Sequence, residues 1–575
     1  MKRNSLTAIM LSISILGSAL AENPKLHDSL SRLEPGKDVD VIVRFRVTPT
    51  DADLSYYSKY GRHNAELSTI RSSAMTVKSD RLAVLAEDPN VEYIAPDSPV
   101  HATTFTGGPD YGWMTALDIT NNFGTAAYDG TGVGVAILDS GLRAAQDQLQ
   151  NSAGTASRIL YLGNFVTTQN QKTTNDLYGH GTHVAGIIGS DGSRSIGANF
   201  TYWIRGIAPN ANLISLRVLD STGSGQDSWV ISAIQTAIQL KSQYNIRVMN
   251  LSLGRPVTGP CAQDPLCQAI QQAWNAGIVV VVAAGNDGRN NSAGTKGYGT
   301  ISAPGNSPYA ITVGAVNGVG TLSRADDKIT SYSSKGPTLF DHFAKPDLVA
   351  PGNRILSLQN PNSVMISSYH QNCVPVSVYG PSTNPNTAVY YQLSGTSMAA
   401  PMVSGAAALM LQRNPNLTPD QVKAILMKTA VKFAQGTSQA TDSTTGITYT
   451  SANDLFTVGA GSLDVQAALN STDMPTGSAQ TPAVTFNAQT GVVSLVVPAN
   501  VLWGSNVLWG STVVWGTNVL WGSNVLWGSN VLWGSNILWG SSGTAGFNVL
   551  WGSNILWGSS TPATEALTLS LNGEN

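Results

Sequence analysis

Charge is scarce in this chain. Acidic and basic residues make up 12% of its 575 positions and the formal net charge is −3, where an average soluble domain is about 25% charged. So few lysines and arginines cannot build a face that tracks a phosphate backbone, so no nucleic acid is expected as a partner. Cysteine is scarcer still, at three residues, and none has zinc-ligand spacing. Cys261 and Cys267 flank a short loop containing Pro265. In an exported protein they fit a disulfide, and otherwise they are two ordinary buried thiols. Cys373 has no evident partner. No later apolar run reaches the ~20 residues that a membrane-spanning helix needs, so no transmembrane segment is expected.

What is present begins with an export signal. Lys2 and Arg3 give a positive start, Leu6 to Leu16 a short apolar run, and Ala19-Leu20-Ala21 a small-residue cleavage site. Residues 1–21 therefore read as a signal peptide and the chain as secreted. Residues 22–104 read as a small α/β domain. Val39 to Phe45, Ala74 to Val77 and Val91 to Ile94 are strand candidates, and Ser79 and Asp80 fit the cap of a helix carrying Leu82 and Leu85. Residues 105–472 form the large body. Val133 to Leu138, Leu213 to Val218, Val248 to Leu253 and Ile278 to Ala284 are near-continuous apolar runs. Such runs suit a parallel sheet covered on both faces. Trp229 to Leu240 and Met402 to Leu411 read as covering helices, so the expected class is α/β with a doubly wound, mainly parallel sheet.

Residues 473–499 are rich in Thr, Ser, Ala and Pro and read as a linker. Residues 500–558 repeat Asn-Val-Leu-Trp-Gly-Ser, with Trp at 503, 509, 515, 521, 527, 533, 539, 551 and 557, and 559–575 form a tail. The even period keeps each Trp on one side of an extended chain, so stacked short strands in a β-solenoid-like array would bury the rings on one another. A disordered, sticky tail is the other reading. The terminal rings would offer a surface for cell-envelope material or insoluble substrate.

Three motifs carry chemistry. Ala136-Ile137-Leu138-Asp139-Ser140-Gly141 ends an apolar strand in a carboxylate, where catalytic groups of such sheets sit. Gly179-His180-Gly181-Thr182-His183-Val184-Ala185-Gly186 flanks an imidazole with glycines. The two histidines also fit metal ligands on one helix face, but no His-Glu-x-x-His pattern accompanies them. Ser394-Gly395-Thr396-Ser397-Met398-Ala399-Ala400-Pro401 places Ser397 where a buried helix starts, among outward-pointing N–H groups. Alone, Asp139 reads as a turn former and Ser397 as an N-cap. Together they supply a nucleophile, a base and the group that orients the base.

In this order, Asp139, His180 and Ser397 with their neighbours resemble the three signature motifs of subtilisin-like serine proteases, the subtilases. No Gly-x-Ser-x-Gly surrounds Ser397, which counts against an esterase. The resemblance implies a serine endopeptidase acting on protein or peptide substrates, with no cofactor required for the chemistry. It further implies that Asn286, in Ala283-Ala284-Gly285-Asn286-Asp287-Gly288, is an oxyanion donor. Ser252-Leu253-Gly254 would pair with an extended substrate, Ala283-Ala284-Gly285 would wall the pocket for the residue before the scissile bond, and Ser302 would sit at its base. Small uncharged walls imply a preference for apolar residues there. Residues 37 to about 100 resemble the family's inhibitor-like propeptide, which would fold the enzyme and then block it as an intramolecular inhibitor.

The chain departs from the family in two places. The loop Ser195-Ile196-Gly197-Ala198-Asn199-Phe200-Thr201-Tyr202-Trp203 does not match the family's usual calcium loop, so a structural calcium ion stays open but has no recognisable loop to support it. Ile366 to Tyr391 reads as an insertion before Ser397.

Overall fold

The structure is a computed structural model that describes residues 23–30, 33–102, 128–151, 154–167, 173–292, 294–321, 323–380, 389–434, 436–442, 446–487 and 492–496. The signal peptide and the tryptophan repeat lie outside the described residues.

The small domain is a four-stranded antiparallel sheet of β1 (Asp38–Phe45), β2 (Gly61–Leu67), β3 (Ser72–Lys78) and β4 (Val91–Pro96), in the order β2-β3-β1-β4. β1 alternates only in part because both of its faces are covered. Val41, Val43 and Phe45 pack with Met75, Leu82 and Leu85 in the domain's own core. Ile42 and Ala74 point the other way and belong to the core of the large body. Ser79 does not cap the helix Leu82–Glu87. A 3₁₀ turn, Ser79–Arg81, comes first, and the Ser79 hydroxyl donates to the Glu34 carbonyl at 2.7 Å.

The chain then enters the large body through β5 (Pro99–Ala102), followed by β6 (Gly134–Asp139), β7 (Ile159–Asn164), β8 (Asn212–Arg217), β9 (Ser224–Gln226), β10 (Ile246–Leu251), β11 (Leu253–Gly254), β12 (Val279–Ala283), β13 (Ile311–Asn317), β14 (Lys328–Ile329) and β15 (Leu348–Pro351). The central sheet runs β14-β13-β12-β10-β6-β8-β7, with β15 also paired to β13; every pairing is parallel except that of β14. All five residues of Val279-Val280-Val281-Val282-Ala283 are buried, as a strand covered on both faces requires.

The helices Asp227–Gln239 and Pro265–Asn275 pack on each other, as do His180–Gly189 and Thr396–Arg413. The last of these is buried on all sides from Thr396 to Leu411. Its runs of alanine let it sit inside the protein, and its Ser404 hydroxyl is satisfied by Asn250 Oδ1 at 2.8 Å.

Cys261 and Cys267 are joined in a disulfide with Cα atoms 5.4 Å apart, while Cys373 is free and half-buried. The segment read as a linker is packed over its first part. Ala479 and Thr481 are buried, and the Thr481 hydroxyl donates to Asp347 Oδ1 at 2.8 Å. Asp347 in turn lies between the ammonium groups of Lys345 (2.6 Å) and Lys423 (2.9 Å). The composition of this segment conceals its role because a buried hydroxyl can close a polar network that no apolar side chain could satisfy.

Candidate active site

Three neighbouring strands of the central sheet, β12, β10 and β6, end side by side, and the chain leaves them at Asn286, Ser252 and Asp139. This is the carboxyl edge, where open parallel sheets gather ligands. Asp139 and His180 are both buried, with His180 Nδ1 2.7 Å from Asp139 Oδ1. The carboxylate accepts, so Nδ1 carries the proton and Nε2 is left as the basic nitrogen. His180 Nε2 is buried and has no hydrogen-bond partner among the described residues. Close approach of the two loops depends on Gly181, whose missing Cβ would clash with the Gly141 carbonyl.

Ser397 is in the first turn of its helix. Its Oγ donates to the Ser252 carbonyl at 3.0 Å, and Ser252 Oγ donates back to the Ser397 carbonyl at 2.9 Å. Asn286 Oδ1 accepts from both the N–H and the hydroxyl of Thr396, each at 3.0 Å. The amide orientation is thereby fixed, and Asn286 Nδ2 is buried with no partner among the described residues. A buried donor aimed at nothing costs free energy, so its presence points to an acceptor that arrives later. Ala283, Ala284, Gly254 and Ser302 are all buried around this centre. Gly285 has φ of +105°, and a Cβ there would strike Ser302 Oγ, so the serine hydroxyl closes the space between the walls.

The two histidines of the second motif are separated in role. His183 is fully buried, and burial pushes its pKa down to about 3. It is neutral, and its Nε2–H donates to the carbonyls of Tyr391 (3.0 Å) and Ile355 (3.2 Å). Among the described residues, no group of three or more His, Cys, Asp or Glu side chains is placed to hold a metal ion.

Several contributors escape sequence reasoning. Asp176 is completely buried and accepts from Ser140 Oγ (2.7 Å), Gly179 N–H (2.6 Å) and Thr182 N–H (2.8 Å). It thus ties the residue after Asp139 to the start of the His180 helix. Burial raises its pKa, while the three donors favour the ionised form. The available signal was an acidic residue four positions before a helix start. The segment just before the insertion is a second case. Val364 N–H donates to the Leu177 carbonyl (2.9 Å) and Met365 N–H to that of Tyr178 (3.0 Å), so it braces the loop leading into His180.

The third case is β9. β5 lies between β9 and β11, antiparallel to both, with Val100 opposite Gly225 and His101 opposite Gly254. The end of the small domain is therefore an added strand in a cleft whose second wall, Ser224–Gln226, has too few side chains to announce itself. Val100 is fully buried there, within the core of the large body.

Comparison with known proteins agrees with this geometry. A model described as the subtilase family matches residues 130–461. The serine protease AprX of Bacillus subtilis (strain 168) is 41% identical over 303 residues, 52% of this chain and 61% of that relative, so the match spans less than two thirds of AprX. Subtilisin E of the same organism is 33% identical over 376 residues, covering 65% of this chain and 78% of the relative. Among solved structures, fervidolysin from Fervidobacterium pennivorans, a keratinolytic enzyme related to subtilisin, aligns with a TM-score of 0.57 over 82% of this chain and 66% of its own. At 21% identity that likeness shows the fold alone. With the family model covering more than half of the residues and a subtilisin matched over most of its length, the chain belongs to the subtilase family.

Proposed function

We propose that this subtilase is a secreted serine endopeptidase made as a self-blocked precursor, with Asp139, His180 and Ser397 as its triad. The observation that carries the reading is the seating of β5 as the middle strand between Ser224–Gln226 and Leu253–Gly254. An extended peptide held this way is oriented by main-chain hydrogen bonds and selected by side-chain pockets. Its strand leads toward Ser252, whose carbonyl already faces Ser397 Oγ.

In this reading His180 Nε2 takes the hydroxyl proton as Ser397 Oγ attacks the substrate carbonyl. Asp139 holds the tautomer and stabilises the imidazolium. The oxyanion is met by Asn286 Nδ2 and the Ser397 N–H. His180 then protonates the leaving amine, and water reverses the sequence to release the acid. The pocket lined by Ala283, Ala284, Gly285, Ser252, Leu253 and Gly254 carries no charge, and Ser302 limits its depth, so it favours neutral, apolar side chains over lysine or arginine. Residues 22–104 act as the propeptide, and the tryptophan repeat as an attachment module.

Casein hydrolysis that a serine-directed phosphonate abolishes is the expected behaviour. The precursor should also cut itself between His101 and Gly108. Leu253 faces Ala102 and Gly254 faces His101. The cut is therefore expected beyond Ala102 within that interval, and intact mass reads it. Casein hydrolysis that survives the phosphonate would refute the proposal.

Release of the propeptide should depend on pH through Asp97. Its carboxylate accepts from the Ser228 N–H at 2.7 Å, at the start of the helix Asp227–Gln239, facing Asp40 and Arg255. Burial pushes its pKa up to about 6, from 3.8. The docked state therefore binds the proton more tightly than the free propeptide. This contribution to docking is complete below about pH 3.8 and is lost as the pH rises through about 6. Inhibition by added propeptide should weaken by about 10- to 100-fold between pH 4 and pH 7, and Asp97→Asn should flatten that dependence. A pH-independent inhibition constant in the unsubstituted pair would refute it.

A further inference from the structure

The subtilase resemblance raises the question of calcium, and the residues that follow the His180 helix do not fit it. Arg158, 4% exposed, points its guanidinium into the space between this helix end and two loops. Its Nε donates to the Gln150 carbonyl (2.7 Å), one terminal nitrogen to that of Ala211 (2.8 Å), and the other to those of Gln148 (3.3 Å) and Gly189. Gly189 is the last residue of the His180 helix. A cation is favoured at that helix end, the negative pole of the helix dipole. Among the described residues, no carboxylate forms an ion pair with Arg158.

Such converging carbonyls are what a hard cation would need as ligands, together with carboxylates. Here the carbonyls are taken by N–H donors, and the carboxylates of this region are engaged elsewhere: Asp129 accepts from the Thr131 N–H and hydroxyl and from Asn210 Nδ2. Asp147 pairs with Arg194, and Asp191 accepts from the Ser193 N–H at 2.8 Å. A second buried guanidinium, Arg205, stacks on Trp203 with 4.5 Å to the ring centre. Burial lowers both arginines to about 10, so each keeps its charge at neutral pH and would repel a divalent ion.

We propose that Arg158 is the internal cation of this subtilase, clamping the loop after the His180 helix so that this part of the fold stands without calcium. The guanidinium is covalently attached and cannot be lost to a chelator or a calcium-poor medium, as a bound ion can.

Thermal unfolding of the full chain tests this, in a Ser397→Ala background that prevents self-digestion. The midpoint should agree to within about 1 °C between excess EDTA and millimolar calcium chloride. Arg158→Met in the same background should unfold about 5–15 °C lower, since the carbonyls of Gln150, Ala211 and Gly189 lose the guanidinium donor and that of Gln148 keeps only the Asp191 N–H. Arg158→Lys, which keeps the charge but reaches fewer carbonyls, should fall between. A chelator-induced drop beyond about 5 °C in the chain carrying Arg158 overturns the proposal, as does an Arg158→Met variant as stable as its parent. Should Arg158→Met fail to fold, the chelator comparison and the lysine variant still decide.

Discussion

Replacing Ser397 with alanine is expected to cut peptide hydrolysis by about 10⁶-fold in kcat, the loss recorded when the nucleophile of a subtilisin is removed. The size follows from chemistry that has no substitute. Without the hydroxyl, His180 has no proton to accept, and water must attack the substrate unaided. What remains is the contribution of the oxyanion donors and of binding, about 10³- to 10⁴-fold over water. The fold should survive, because the hydrogen bond from Ser397 Oγ to the Ser252 carbonyl is worth only about 1 kcal/mol. His180→Ala should cost nearly as much, and the double variant scarcely more, since the members of the triad act as a unit. The Ser397→Ala protein should also keep residues 22–104 attached. Steady-state kinetics on a small peptide and intact mass read both effects. Normal turnover, or loss of the propeptide with no other protease present, would refute the assignment.

The central strands were legible because each is a short valine- and isoleucine-rich run buried on both faces, a pattern that solvent-facing structure does not produce. Asp139, His180 and Ser397 stood out as candidates for a different reason: each sits beside glycines or small residues that let loops and a helix start approach closely. Asp176 was not, because a buried carboxylate satisfied by Ser140, Gly179 and Thr182 looks in sequence like any polar residue before a helix. The wall Ser224–Gln226 was hidden because it binds through its backbone, which is the same for every residue type. Thr481 shows the converse error. Its threonine-rich neighbourhood reads as a linker, yet its hydroxyl completes the buried Lys345–Asp347–Lys423 network. Composition reports what a segment can leave in water, and it is silent on which polar atoms have a partner inside.

Asn286→Ala should lower kcat by about 10²- to 10³-fold with little change in KM. That magnitude was measured for the corresponding donor of a subtilisin and is carried over through family membership. The geometry explains why the loss should fall on kcat. Asn286 Oδ1 is held by two donors from Thr396, so the side chain cannot turn away, and Nδ2 has no ground-state partner among the described residues. An interaction made only once the carbonyl becomes tetrahedral lowers the barrier without tightening substrate binding. Stability should change little in either direction: the variant removes an unsatisfied buried donor, but it also leaves the Thr396 N–H without its acceptor. Thr396→Val, which keeps the backbone donor and removes the hydroxyl, should lose part of the same kcat by loosening the amide. Its KM should stay near that of the parent. Peptide kinetics on both variants distinguish the roles. A loss confined to KM, or an Asn286→Ala enzyme turning over at the parental rate, would remove Asn286 from the oxyanion site.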